Sequence, residues 1–204
     1  MGSEKRIAFS RWYVRVVQRR LRRALLALAV ALAFVVAPRS AVAEDDSLGA
    51  FLSAYRCPVT LRLAAIHARG DRKREDQRFL ILALGQGETD YVQCEFFDKD
   101  RQMMCEAASG YYYAPKGAPR TVYLPADSVA ALAKLGFSTD DSHGNFQRVM
   151  TTPSPSDFST VADLLLSALY QSYGARLKSK IEVHSALVGD LGAVLKVTDC
   201  PPIS

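Results

Sequence analysis

Leu48, Phe51, Leu52 and Tyr55 recur at i, i+3, i+4 and i+7, which predicts a short helix over Ser47 to Tyr55 with Pro58 as its limit. Val59, Leu61, Leu63 and Ala65 then alternate with Thr60, Arg62 and Ala64, a strand pattern. Phe79 to Leu84 is a continuous apolar run closed by Gly85-Gln86-Gly87, which predicts a buried strand ending in a turn. Tyr91 to Phe97 and Gln102 to Ala108 read as two strands around Asp98-Lys99-Asp100-Arg101. Tyr111-Tyr112-Tyr113 leads into a loop at Ala114-Pro115, and Thr121 to Leu124 reads as a short edge strand. Pro125 to Leu135 places Val129, Leu132 and Leu135 on one side of a helix, with Gly136 as a left-handed cap. Gly144 to Thr151 reads as a strand. Ser154-Pro155-Ser156-Asp157 offers a capping serine, a proline at the first helical position and an acid three residues on. Phe158, Val161, Ala162, Leu165 and Leu169 follow on one stripe, and Gly174 ends that helix. Lys178 to Leu187 and Ala193 to Val197 complete the strands. The order predicts an α+β fold: one twisted antiparallel sheet with helices packed on one face.

The alternation also sets one register. An even-membered turn centred between Lys99 and Asp100 places Val92 opposite Ala107, Cys94 opposite Cys105 and Phe96 opposite Met103. One hairpin face becomes apolar and brings two thiols together. The other pairs Gln93 with Glu106 and Phe97 with Gln102, and a one-residue slip would scramble both. A Cys94–Cys105 disulfide follows, and Cys57 and Cys200 remain as partners by elimination. Each of the latter precedes proline, so both backbones are extended there. Zinc-type C-x₂-C spacing is lacking, and no metal set is assigned.

The N-terminal segment changes the reading of composition. Arg19, Arg20, Arg22 and Arg23 precede an uncharged apolar block, Ala24 to Ala37, and Ala41-Val42-Ala43 supplies a small-residue cleavage site. The block is shorter than the roughly 20 residues of a spanning helix, and Pro38 and Arg39 stop it. The expectation is a secretory signal peptide over 1–43, cleaved between Ala43 and Glu44, and a single domain over 44–204. An uncleaved membrane anchor is the alternative. The chain carries 26 Lys/Arg, 21 Asp/Glu and a net charge of +5. Nine of those basic residues and one of the acids lie in 1–43, so 44–204 is net −3. The basic balance belongs to the leader, which argues against a nucleic-acid partner. Membrane contact is expected only through the transient signal. A periplasmic or secreted location follows, where four cysteines form two disulfides.

Candidate chemistry is sparse. His67, His143 and His184 stand alone in their segments, and the chain contains neither G-x-S-x-G nor H-E-x-x-H. Asp140-Asp141-Ser142-His143-Gly144 has the composition of a polar turn. Gly85-Gln86-Gly87 lacks the lysine of a phosphate-binding loop, and no cofactor is expected. The outward hairpin face is the better candidate. Tyr91, Phe97 and Met104 stand there among Gln93, Glu95 and Glu106, a composition suited to partner binding. Arg69 to Arg78 alternates in sign and reads as a solvated loop.

Several segments in this order resemble a known family: Tyr91-Val92-Gln93 with Cys105-Glu106-Ala107-Ala108-Ser109-Gly110-Tyr111-Tyr112, then Tyr123-Leu124-Pro125 through Leu135-Gly136-Phe137, then Gly144-Asn145-Phe146-Gln147-Arg148, then Tyr170-Gln171-Ser172-Tyr173-Gly174. Together, over roughly residues 79–174, they resemble the YbjN and type III secretion chaperone-like superfamily. Family members commonly carry an aromatic such as Trp where Phe137 and Phe146 stand. The resemblance implies a chaperone-like α+β fold that binds proteins or peptides, and it implies no catalytic residue. The expected function is an exported, non-catalytic protein- or peptide-binding module of the bacterial envelope, with homodimerisation as an open option. The alternatives are a small periplasmic hydrolase using His143 or His184, and an inhibitor of a secreted enzyme.

Overall fold

Ser47 opens the first helix, α1 (Leu48–Arg69), by accepting a hydrogen bond from the Ala50 N–H at 3.2 Å. The computed structural model describes residues 46–69, 77–85, 89–113, 123–140, 144–186, 193–196, 198 and 200. Chain contacts divide the molecule into Met1–Glu44 and Asp45–Ser204. Every described residue belongs to the second unit. The signal pattern with Ala43 and Glu44, the charged run from residue 70 to 76, and His143 lie outside the described residues.

Helix α1 corrects two expectations. It does not stop at Pro58, and Val59 to Ala65 is helical rather than a strand. The buried positions Phe51, Tyr55, Val59, Leu63 and Ile66 follow the helical period, while Leu61 is exposed. Proline removes one intrahelical bond, which costs about 3 kcal/mol in a helix interior. Two side chains add hydrogen bonds in the same stretch: Thr60 Oγ1 donates to Arg56 O at 2.8 Å, and Arg62 Nη1 donates to Pro58 O at 3.0 Å. Tertiary contacts offset the rest. The Phe51 ring contacts Tyr170 in a tilted arrangement with centroids 5.5 Å apart, Arg56 pairs with Asp163 at 2.6 Å, and Tyr55 Oη donates to Leu177 O at 2.9 Å.

The sheet has five antiparallel strands: β1 (Phe79–Leu84), β2 (Tyr91–Phe97), β3 (Gln102–Ala107), β4 (Phe146–Thr151) and β5 (Ile181–His184), in spatial order β4-β3-β2-β1-β5. The hairpin register agrees with the sequence reading: Val92 opposes Ala107, Cys94 opposes Cys105 and Phe96 opposes Met103. The Ala108 N–H donates to Tyr91 O. That bond sets the phase of the ladder and puts Cys94 and Cys105 at a position without hydrogen bonds, where opposed backbones approach closest. Their Cα atoms are 4.0 Å apart, and the two form a disulfide. Cys57, which is helical in α1 rather than extended as its place before Pro58 suggests, is bonded to Cys200 with Cα atoms 6.1 Å apart. Two expected strands are not seen among the described residues. Tyr123 and Leu124 are not in a strand, and Val194 makes a single bridge to Glu182.

Helix α2 (Ala126–Lys134) ends before Gly136, which is left-handed as expected. Helix α3 (Phe158–Tyr173) starts later than its capping pattern suggests, because Ser154 begins a 3-10 turn over Pro155–Asp157 instead. Helices α1 and α3 pack on each other and on the inner sheet face, where Leu80, Leu82, Val92, Phe96, Met103, Ile181 and Val183 are buried. The fold is therefore α+β with an open antiparallel sheet and three helices among the described residues. None of the described helices is long and apolar enough to cross a membrane.

Candidate binding surface

Period-two alternation sends the other half of each strand outward. Tyr91, Gln93, Glu95 and Phe97 of β2 all lie on this face, as do Gln102, Met104 and Glu106 of β3. Their side chains are partly accessible, in contrast to the buried inner set. Phe97, Met104 and Tyr91, the three residues singled out from sequence, share this face but do not share a patch. Phe97 opposes Gln102, and Met104 opposes Glu95 on one side and Val149 on the other. Phe97 and Met104 are thus diagonal neighbours, with Val149 (57% exposed) beside them and Phe79 beyond Glu95. Tyr91 stands six residues along β2 from Phe97, roughly 20 Å away.

A polar ladder separates the two ends. Gln93 Nε2 donates to Glu106 Oε2, and Gln147 Nε2 donates to Glu106 Oε1 at 2.8 Å. Glu106 accepts from both amides, so the stripe links β2, β3 and β4 through side chains.

Strand β4 closes the sheet on one side. The Thr152 N–H donates to Arg101 O at 3.1 Å, so alternation turns the backbone groups of Gln147, Val149 and Thr151 away from β3. Ser138 N–H takes the carbonyl of Gln147 at 2.7 Å. Val149 and Thr151 have no strand partner on that edge among the described residues.

A cleft of about 350 Å³ lies at the Tyr91 end of the sheet, lined by Asp90, Ser109, Gly110, Tyr113, Tyr123 and Leu124 together with Thr89. Ser109 builds it. Its hydroxyl donates to Gly144 O at 2.5 Å and accepts from the Tyr111 N–H at 3.1 Å, while its carbonyl accepts from the Tyr123 N–H at 2.9 Å. Gly110 is left-handed (φ 82°), and a Cβ there would meet Tyr123 Cβ at 2.9 Å, so the two walls touch through a hydrogen. Tyr113 is 40% exposed and Tyr123 52%. Beneath, Tyr173 Oη donates to Ala108 O at 2.7 Å, and Tyr91 Oη accepts from Asn145 Nδ2 at 2.7 Å. Burial pushes both phenols upward in pKa, and the Asp90 charge adds to the rise at Tyr173. Among the described residues the Asp90 carboxylate has one hydrogen-bond partner, the Thr89 hydroxyl at 3.3 Å, and no cation. Sequence reading flagged the Tyr111–Tyr113 run only as the start of a loop. The run itself was the available signal.

The two described histidines do not converge. His67 ends α1 in ring contact with Phe96 and Phe158, both at 5.5 Å, and its Nε2 lies 3.9 Å from Asp100 Oδ2. His184 is on β5 with Nε2 3.8 Å from Glu182 Oε2. No group of three metal-ligating side chains occurs among the described residues. Arg78, read from sequence as part of a solvated run, is instead fully buried and pairs with Asp100 at 2.8 Å. Its position directly before a buried strand, beside the turn that joins β2 to β3, draws it inward.

Comparison of the chain with protein-family models, with curated proteins and with solved structures finds no match in any of the three.

Proposed function

We propose that this chain is an exported, non-catalytic, chaperone-like module that binds an extended segment of a protein or peptide at the outward face and free edge of its sheet. The observation that carries this reading is the grouping of Phe97, Met104 and Val149 on the outward, partly accessible face, next to the β4 edge. An extended segment added to β4 would meet the outward-pointing backbone groups of Val149 and Thr151 and gain main-chain hydrogen bonds. Phe97 and Met104 would supply apolar contacts that adapt to different side chains. The two disulfides are compatible with an oxidising compartment and agree with the leader pattern. The family resemblance over residues 79–174 points the same way.

Panning an extended-peptide library against the purified chain tests this. Selected peptides are expected to lose roughly tenfold or more in affinity on Phe97→Ser with Met104→Ser. Val149→Pro is expected to weaken them as well, because proline deletes an edge N–H while sparing the β3–β4 ladder. Peptide affinity unchanged in both variants, with far-UV circular dichroism also unchanged, overturns the proposal.

A further inference from the structure

We propose that the cleft at the Tyr91 end of the sheet receives a cationic side chain, an arginine guanidinium or lysine ammonium, from the bound segment. This rests on the reading of the sheet as a peptide-binding surface and names the chemistry of one subsite. Asp90 contributes a carboxylate to the cleft wall, with the Thr89 hydroxyl as its single described hydrogen-bond partner. Tyr113 and Tyr123 contribute accessible rings, and a ring face attracts a cation electrostatically. Leu124 lines the same cleft and offers an apolar floor for the methylene stem of a long basic side chain.

Other ligand classes fit less well. An anion would enter beside a carboxylate that has no cation partner among the described residues and meet repulsion. A neutral polyol needs several donors and acceptors, yet the Ser109 hydroxyl, its N–H and its carbonyl are already committed within the fold. The same chain shows that it can seat a guanidinium on a phenol ring: Arg176 lies over Tyr170 at 4.3 Å from the centroid.

Position adds a constraint. Asp90 precedes β2 directly, and Phe97 ends it. Seven residues of extended chain span roughly 23 Å. An extended ligand that reaches both ends of the face carries its basic residue about seven positions from its apolar anchor.

The test is titration of the full chain with N-acetyl-arginine amide, followed by amide NMR shifts at Thr89, Gly110, Tyr113 and Tyr123. N-acetyl-citrulline amide is the neutral isostere control. Saturable shifts with the arginine probe are expected, with at least fivefold weaker binding in Asp90→Asn and in Tyr123→Ala. Because Leu84 N–H bonds the Asp90 carbonyl rather than its side chain, Asp90→Asn leaves the β1–β2 connection intact. Equal response to citrulline, no saturable shift, or wild-type binding by Asp90→Asn overturns the inference. Selected peptides that need Phe97 and Met104 but show no basic residue at the predicted spacing also overturn it, while leaving the sheet-face reading standing. Arginine-probe binding that needs Asp90, with no peptide bound by the sheet face, supports the cation site and overturns the sheet-face reading instead.

Discussion

Arg78 Nη2 sits 2.8 Å from Asp100 Oδ1 with its own side chain fully buried and that of Asp100 7% exposed. The pair fastens the start of β1 to the hairpin turn that joins β2 to β3. The Phe96 ring lies 5.4 Å from the guanidinium carbon and shields it. Nε and Nη1 of Arg78 find no acceptor among the described residues. Removing one member of a buried pair strands the other charge, so Arg78→Ala is expected to cost about 3–5 kcal/mol in urea unfolding. Arg78→Met, which fills the space, still leaves Asp100 but loses less packing. If Arg78→Ala unfolds at the wild-type urea midpoint, the pair contributes nothing.

The turn it holds is strained. Asp98, Lys99 and Asp100 all adopt left-handed backbone, with φ of 51°, 55° and 66°. Left-handed geometry costs an L-residue roughly 1–2 kcal/mol, and aspartate tolerates it better than lysine. Lys99→Gly is therefore expected to stabilise the domain by about 1 kcal/mol, less the extra entropy of glycine in the unfolded chain. A thermal midpoint equal to or below that of the parent would contradict this.

Tyr173 predicts a response to alkali. Burial raises its pKa above the ordinary value of 10.0. The unfolded phenol ionises first, so its contribution to stability is full below about pH 10 and declines as pH rises beyond it. Tyr91 and Tyr55 shift in the same direction, also by burial, and add to the loss. Urea midpoints measured from pH 8 to 11 are expected to fall above pH 10. Tyr173→Phe is expected to flatten that fall while losing the bond to Ala108 O, about 1 kcal/mol at neutral pH.

The two disulfides should open in sequence. Cys94 and Cys105 are fully buried, whereas Cys57 is exposed. Mild reductant followed by alkylation is expected to label Cys57 and Cys200 first, read by mass spectrometry. That bond spans 143 residues, and its loss is expected to cost up to about 5 kcal/mol by loop entropy. Simultaneous labelling of all four thiols in the folded chain would contradict the order.

The hairpin was legible because strict alternation and two cysteines all demanded one register. Helix α3 was legible because its apolar stripe is long. Helix α1 was half legible: Val59 to Ala65 satisfies both the two-residue and the helical period, and Pro58 tipped the reading toward a break. Only packing against α3 decides between them. The buried Arg78 was missed because charge alternation in 69–78 looks the same whether or not its last member turns inward. The cleft was missed for a different reason. It joins Asp90, Ser109 and Tyr123, which are distant in sequence and approach one another only once the strands pair and the Tyr123 N–H donates to Ser109 O. Of the outward residues, Tyr91, Phe97 and Met104 were placed on the correct face by alternation, but their division into two ends depends on strand length and the intervening Gln–Glu–Gln stripe.

The bond from Cys57 to Cys200 imposes an order on biogenesis. Helix α1 leaves the ribosome early, yet its covalent partner arrives only after residue 200 has emerged, and β5, which pairs with β1, is also made late. Closure of this architecture is therefore a late event: the crosslink to α1 cannot form until Cys200 is available.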